Sequence, residues 1–403
     1  MSQSVKTQVL SETPTYLKLR LQPAQWPANP EARLATMREA TRQVIAERGL
    51  NPLREPRLTP AALGFTCELD LFPVVELPEL AVQCEVPAFE VPDERALQLA
   101  LEGLQIQLGE AESIPGPADW GQLLIVDMAG FCQKQPIPMS FQVRVPMLLR
   151  KDGPDTEFQA GLIGLKPGEK RVIPHTLAQD FRHPAWRGAK AEYHLYLHEL
   201  RQLRVPPADD RLARACDAGE KLEDLLAVLF DQLRQQARAR WRDRLREAVV
   251  AQVVDQARLK LPETLVDEQL KASWQVSDAA MIKQLAPGLA LPAQLEAASW
   301  RSWQAQTWLR QQQAGNLKTQ LVLREIGLKQ GIGLDARELL RPLEVLGTMR
   351  EDGDLAASWQ SLAESGEFPA YGNQVWLDKV VRWLVAQARL TQNGQPFNLP
   401  QAD

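Results

Sequence analysis

The sequence predicts a multidomain α+β protein: a small α+β head, a β-rich middle domain and an elongated all-α C-terminal part with long helical arms. Three observations predict it. Runs such as Tyr16–Leu21, Phe65–Phe72, Ser140–Val145 and Tyr193–Leu200 alternate apolar with polar residues, the period of a half-buried strand. The stretch from Gly219 to Leu261 instead repeats apolar residues in steps of three and four. They are Leu222, Leu225, Leu226, Leu229, Leu233, Ala237, Trp241, Leu245, Val249 and Val253, all on one helix face. Proline-rich connectors, Pro73 to Pro92 and Pro115-Gly116-Pro117, separate the parts.

The long run organises the chain. At ~1.5 Å per residue, about 40 residues make a rod of ~60 Å, so other elements must lie along it. Pro262 then stands where the first position of a new helix belongs, and Leu261–Pro262 reads as the tip of a helical hairpin.

A chain of 403 residues exceeds one typical core. Hydrophobic residues at 45% and charged residues at 24% make it globular. The formal net charge of −5 gives no overall pull towards nucleic acid or anionic lipid, so neither DNA nor a membrane is expected as a partner. The first residues lack the apolar core of a signal peptide, and no apolar run reaches membrane-spanning length, so the expected location is the cytoplasm. Cys67, Cys84, Cys132 and Cys216 form no Cys-x-x-Cys pair and are expected to be buried free thiols. No cofactor and no metal is expected.

In order, residues 1–85 read as a head of strand, helix and strand, with a helix over 31–48 and Gly49 at its C-terminal cap. Residues 86–118 read as an extended connector and a linker helix carrying Leu97, Leu101, Leu104 and Leu108, with Asp93 at its N-cap. Residues 119–204 form the β-rich domain, closed by Pro206-Pro207. Residues 205–403 form the helical domain, with further helices at 315–331, around 336–346 and at 373–390, and a frayed tail after Gly394.

This order of parts resembles the trigger factor family of bacterial ribosome-associated chaperones, and several stretches carry the resemblance. Phe65-Thr-Cys-Glu-Leu-Asp-Leu-Phe-Pro-Val-Val-Glu-Leu resembles the family's Phe-x-x-x-x-Glu-x-x-Pro-x-Val-Glu-Leu strand, with Asp70 in place of Glu. Val126-Asp-Met-Ala-Gly and Phe158-Gln-Ala-Gly-Leu-Ile-Gly-Leu-Lys-Pro-Gly-Glu resemble motifs of its FKBP-like domain. Leu261-Pro-Glu-Thr-Leu-Val-Asp-Glu resembles the bend between its first arm helices, and Leu317–Ile326 a later arm helix. The resemblance implies an FKBP-like fold for 119–204, and an ATP-independent chaperone binding unfolded or nascent polypeptides through an apolar cradle. The alternatives are an FKBP-type peptidyl-prolyl isomerase and a dedicated assembly factor for one partner protein.

Two departures qualify what the resemblance implies. Gln22–Pro30 replaces one head helix and the family's ribosome-contacting loop, and it holds no Arg or Lys to meet phosphates, so ribosome contact by that route is not expected. In the FKBP-like part, Met128 falls where an aromatic is usual, and Asp155-Thr156-Glu157 replaces Ile-Pro-Gly, placing carboxylates beside an apolar pocket. The remnant of that pocket is expected at Phe131, Ile137, Phe158 and Phe181, with its isomerase activity impaired.

Of eleven tryptophans, eight follow residue 240. Core packing is the plain reading. As client-binding candidates they are Trp241, Trp274, Trp300, Trp303 and Trp308, on surface left open by the arms. The six arginines from Arg234 to Arg246 suggest RNA binding, against which stands an ion-paired, solvated helix face. His194 and His198 share a strand face ~13 Å apart, too wide for one chelate. Oligomeric state is not legible.

Overall fold

The computed structural model describes residues 5–152, 155–335, 337–339 and 368–398. The chain divides into two discontinuous compact units. One comprises Met1–Val86, Leu245–Val266 and Ala314–Asp403; the other comprises Pro87–Arg244 and Asp267–Gln313. The residues read as one helical domain, 205–403, are thus shared between both. The expected helix around 336–346 lies almost wholly outside the described residues.

In the first unit, β1 (Val5–Thr13), β2 (Tyr16–Pro23), β3 (Arg57–Ala61) and β4 (Gly64–Asp70) form an antiparallel sheet in the order β1-β2-β4-β3. The alternation read at Tyr16–Leu21 turns Leu17, Leu19 and Leu21 to a core with Phe65, Cys67 and Leu69. Helix α1 (Pro30–Glu47) covers that face with Met37, Ala40 and Val44. Its start is fixed by Asn29, whose side chain accepts from the Glu31 amide at 2.9 Å, and by Pro30. Its end is fixed by Gly49 at φ +59°. Strands β1 and β3, whose residues are mostly exposed, carry little apolar alternation and were not foreseen. Gln22–Pro30 folds back on the sheet, with Trp26 stacked on Phe65 at 6.2 Å.

Asp70 is buried and holds Arg54 through both Nε and Nη2, with Thr264 donating to its other oxygen at 2.8 Å. Helix α1 is the first of several. Helix α2 (Glu94–Gln107) begins at Asp93, which accepts from the Ala96 amide at 2.8 Å. Two short helices follow, α3 (Thr156–Ala160) and α4 (Asp210–Ala215), and then the long α5 (Leu222–Gln256).

Helix α5 has 35 residues, about 52 Å, shorter at both ends than the run that predicts it. At its start Asp224 reaches back to the amides of Glu220 and Lys221, which ends the helix there. Beyond its end Arg258 leaves the helix to exchange two backbone hydrogen bonds with Glu76, at 2.9 and 3.1 Å. Helix α6 (Glu263–Trp274) starts directly after Pro262, as read. A π-turn (Gln275–Ala279) leads into the short α7 (Ala280–Ile282), followed by α8 (Leu295–Ala305), α9 (Thr307–Lys329) and α10 (Phe368–Gln387).

Helix α9 starts well before the expected residue 315, because the break after α8 falls at Gln306, whose ψ of 103° is extended. Gly327 lets α9 approach α10: a Cβ there would stand 2.4 Å from the Trp376 ring. Beyond α10, Arg389–Gln392 adds in parallel to β5 (Gln83–Glu85). Of the tail expected to fray after Gly394, Gln395–Pro396 pairs with Arg389–Gln392, and residues 399–403 lie outside the described residues.

In the second unit, β6 (Glu110–Ser113), β7 (Gln122–Cys132), β8 (Gln135–Pro136), β9 (Gln142–Leu148), β10 (Lys170–Thr176) and β11 (Lys190–Arg204) make one six-stranded sheet. Strands β10, β11, β7 and β8 lie in that order, while β6 pairs β11 and β9 pairs β7. One core, with Leu124, Val126, Leu162, Ile173, Leu195 and Leu197, lies on one face of it. Helix α2 packs Leu97, Leu101 and Leu104 against Leu212, Leu225 and Leu229 of α4 and α5.

Candidate binding site on the β-rich domain

The site is built where β7 turns into β8. Gln133 and Lys134 form a two-residue hairpin with φ of 51° and 64°, the left-handed pair such a turn demands. Gly130 of β7 must be glycine: a Cβ there would meet the Tyr193 ring at 2.8 Å and Ser140 at 2.9 Å. That close approach lets the Ser140 hydroxyl donate to the Ile137 carbonyl at 2.7 Å and accept from the Gly130 amide at 3.1 Å. The rim Ile137–Ser140 is pinned as a result.

The helical segment 275–308 packs on this rim. The Ser302 hydroxyl donates to the Pro136 carbonyl at 2.6 Å. Buried Asp278 accepts from the Met139 amide at 3.0 Å, from the Trp303 indole at 2.7 Å and from the Ser299 hydroxyl at 3.1 Å. Burial pushes the Asp278 carboxyl up from the usual carboxylate range, against the downward pull of those three donors. Nearby, Asp127 accepts from the Arg144 amide at 2.8 Å and the Ala286 amide at 2.7 Å. Gly288 lies on Tyr196, whose ring a Cβ would meet at 2.2 Å.

Between rim and helices lies a cavity of about 160 Å3. Ile137, Phe181, Trp186 and Tyr193 line it from the β-rich side, and Gln306 and Trp308 from the helices. Trp186 stands in the His183-Pro-Ala-Trp turn, with His183 stacked on it at 4.2 Å. Burial lowers the His183 pKa and raises that of Tyr193. Met139 and Arg182 are exposed members of the lining, and the Arg182 guanidinium lies 5.8 Å from the Trp308 ring. Gln306 is 1% exposed, yet neither its side-chain nitrogen nor its oxygen has a hydrogen-bond partner. The Trp308 indole N–H is buried and equally unpartnered.

Of the expected pocket remnant, Ile137 and Phe181 line the cavity. Phe131 and Phe158 do not. Phe131 points to the other face of the sheet, edge-on to Phe141 at 6.5 Å and in a cluster with Leu295 and Met281. Phe158 sits one layer back, edge-on to Tyr193 at 5.5 Å. Strand alternation accounts for Phe131, since its neighbours on β7 face opposite sides.

Two of the five candidate indoles have the core packing that is their plain reading. Trp303 is 0% and Trp274 is 7% exposed, in one core with Leu270 and Leu309. Trp300 is half-buried against Trp274 at 5.2 Å, and Trp308 is half-buried at the cavity. Trp241, also half-buried, donates to the Pro87 carbonyl at 2.7 Å. Trp186, Tyr193 and Gln306 were missed. Gln306 left a signal: it lies three residues from both Trp303 and Leu309, a polar residue among buried positions.

A second, wider cleft of about 460 Å3 runs between α2 and the edge of the β sheet, with Ile106, Trp120, Leu148, Leu203 and Val205 in its lining. Arg150 pairs with Glu102 across it at 2.9 Å. In the arginine run, Arg234 pairs with Asp231, and Arg244 pairs with Glu90 at 2.7 Å. His194 rests on Phe131 at 5.0 Å, and His198 Nε2 lies 2.8 Å from Asp127 at an angle that makes no hydrogen bond. Among the described residues no group of three His, Cys, Asp or Glu stands where it could hold a metal. No described helix is long and apolar enough to cross a membrane.

The family model for the C-terminus of the bacterial trigger factor protein matches residues 221–386. A trigger factor of Caldicellulosiruptor bescii is 22% identical over 320 residues, 78% of this chain and 72% of its own length. One of Halorhodospira halophila is 23% identical over 365 residues, 88% of this chain and 80% of its own. A solved chain of the trigger factor chaperone, described for promiscuous substrate recognition in folding and assembly, superposes with a TM-score of 0.41. It is 14% identical and covers 94% of this chain and 99% of its own.

Proposed function

We propose, because the chain belongs to the trigger factor family, that it is an ATP-independent chaperone that holds unfolded or nascent polypeptides through shallow apolar contacts. A chaperone-type function follows from the family; the mode of client binding is our reading. The observation that carries it is the match over 221–386, to which the cleft beside α2 adds a surface of suitable chemistry. Ile106, Trp120, Leu148 and Val205 offer apolar contact there without a closed shape that would select one side chain. Trp300 and Trp308, each half-buried, are further contact candidates, whereas Trp274 and Trp303 serve the core.

The loop Gln22–Pro30 supports a chaperone that works off the ribosome's usual docking route. It has no cation, and Trp26 commits it to the head's own sheet. A cytoplasmic setting fits this reading. The test is suppression of aggregation of several unrelated unfolded proteins by the full chain without nucleotide. Suppression of all of them is expected; suppression of a single protein only would favour a dedicated assembly factor.

The isomerase reading has one observation in its favour, the apolar and aromatic wall of Ile137, Phe181, Trp186 and Tyr193. Against it, the cavity of about 160 Å3 also carries an unpaired amide, which opposes the desolvation such catalysis needs. A Xaa-Pro peptide assay on the full chain is expected to show no acceleration above background.

A further inference from the structure

Helix α5 carries six arginines between Arg234 and Arg246 and no lysine. From Gln232 to Arg242 it holds four arginines and no acid. Arg234, Arg238, Arg240 and Arg242 are all exposed, while Leu233, Ala237 and Trp241 on the other side are buried or half-buried. Arg234, Arg238, Arg242 and Arg246 follow one another in steps of four, a single row with one guanidinium about every 6 Å. Like charges four apart on a helix repel and weaken it; a face that only keeps the helix soluble gains from opposite charges at that step. This row sets Arg against Arg three times. Local ion pairs do not quench it. Arg234 meets Asp231 only at 3.8 Å, and Arg240 reaches the Gln236 carbonyl at 3.4 Å. Among the described residues the side chains of Arg238 and Arg242 have no ion pair. Arg244 is held by Glu90 at 2.7 Å, and Asp243 and Arg246 are engaged as well, so the open charge lies between Arg234 and Arg242.

We propose that the arginine row of α5 is a docking surface for the phosphate backbone of an RNA strand, bound without regard to base sequence. A nucleic-acid strand supplies one negative charge per nucleotide with no cation between, the series such a row matches. A guanidinium grips phosphate through two N–H groups at once, which fits the use of arginine throughout. Exposed Gln232, Gln235 and Gln236 flank the row and offer amides to sugar hydroxyls, the group by which RNA differs from DNA. Folded protein surfaces mix both signs, so an acidic protein would bring its own cations against the row. Lipid is disfavoured too. Among the exposed residues from Gln232 to Arg242 none is apolar and larger than Ala239, so the face has no wedge for a bilayer. The surface is local: the whole chain is acidic at −5, and the head loop Gln22–Pro30 has no Arg or Lys. The inference goes beyond the client-binding reading and does not depend on it.

The test is fluorescence anisotropy of an end-labelled, mixed-sequence RNA of about 20 nucleotides, titrated with the full chain between about 50 and 200 mM KCl. Three phosphate contacts on a single strand predict that log affinity falls against log salt with a slope of about −2. The triple variant Arg234→Gln/Arg238→Gln/Arg242→Gln should bind about tenfold more weakly or worse and flatten that slope. The triple variant Arg234→Lys/Arg238→Lys/Arg242→Lys should keep the slope and bind several-fold more weakly than wild type, because the charge stays and the fork is lost. Relief of like-charge repulsion predicts that the Gln variant melts at or above the wild-type midpoint, so its loss of binding is not loss of fold. No salt-dependent binding at about 100 µM protein and about 50 mM KCl overturns the proposal. Unchanged affinity in the Gln variant overturns it too, since any RNA contact would then lie elsewhere. Equal binding of DNA of the same sequence, or tighter binding of polyglutamate or of phosphatidylserine vesicles, also overturns it by naming a different anion. Aggregation suppression is measured separately on the Gln variant. Suppression kept while RNA binding is lost is the expected result; loss of both would make the row a client surface and overturn the proposal.

Discussion

Asp278 and Gln306 are both 1% exposed, both polar, and both on the helical segment that packs against the β-rich sheet. The protein surrounds them in opposite ways. Asp278 accepts from a backbone amide, an indole and a hydroxyl, so both its oxygens are engaged and it ties the Met139 rim to α8. Gln306 has four potential hydrogen-bonding positions in its amide and uses none. Burial exacts a similar desolvation from each. In the first case the structure answers it, which makes Asp278 an organiser of the fold. In the second nothing in the chain does, so the amide adds no tie to the fold. Burial alone does not separate the two roles; the count of partners does.

The comparison breaks first at Asp278. Asp278→Ala strands three donors in an apolar setting and leaves a void. A loss of about 3–5 kcal/mol is expected, within the range for removing one member of a buried polar network. Urea unfolding of the full chain measures it. A loss under about 1 kcal/mol would mean that the rim and α8 hold together without the carboxylate, and Asp278 would no longer differ in kind from Gln306.

Why one half of this contrast was legible in the sequence and the other was not follows from range. Alternation and helical period are local, so Leu17, Leu19 and Leu21, the Asp93 cap and the body of α5 were read correctly from neighbours in the chain. Strands β1 and β3 were not, because their residues are mostly exposed and pairing to β2 and β4, rather than apolar pattern, makes them strands. The strand at Arg389–Gln392 depends on Gln83–Glu85, some 300 positions away, and nothing in its own polar sequence announces that partner. The cavity has the same difficulty. Ile137 and Phe181 were visible by resemblance, and Trp308 by its type, but they were assigned to separate sites; only the packing of 275–308 on the rim brings them together. Gln306 could be suspected from its place between Trp303 and Leu309, whereas the want of a partner is a property of three-dimensional surroundings.

The contrast is sharpened by replacing Gln306 with an apolar residue of like length. Gln306→Met removes the unpaired groups and keeps the volume, so it is expected to stabilise the free chain by about 1 kcal/mol, on the order of 2 °C in melting midpoint. A drop in melting midpoint instead would show that the amide has structural partners, and the comparison with Asp278 would collapse.

The smallest effect concerns pH. Burial raises the Asp278 carboxyl above its ordinary value near 3.8, and the three donors only partly offset it. An acid whose folded pKa is raised ionises first in the unfolded chain as pH rises. Stability from this group is therefore fully present below the unfolded value and declines until pH passes the folded one. Asp278→Asn cannot ionise. Its absolute stability will be lower, because an amide nitrogen must face at least one of the donors. The difference between wild type and variant should nonetheless shrink as pH rises through the carboxylate range, since only the wild type pays for burying a charge. Chemical unfolding of both proteins at several pH values through that range gives the slope, and other carboxylates cancel in the difference. A difference that widens with pH would mean the three hydrogen bonds outweigh desolvation. Asp278 would then be an anion the fold prefers, and its contrast with Gln306 would be one of charge as well as of partners.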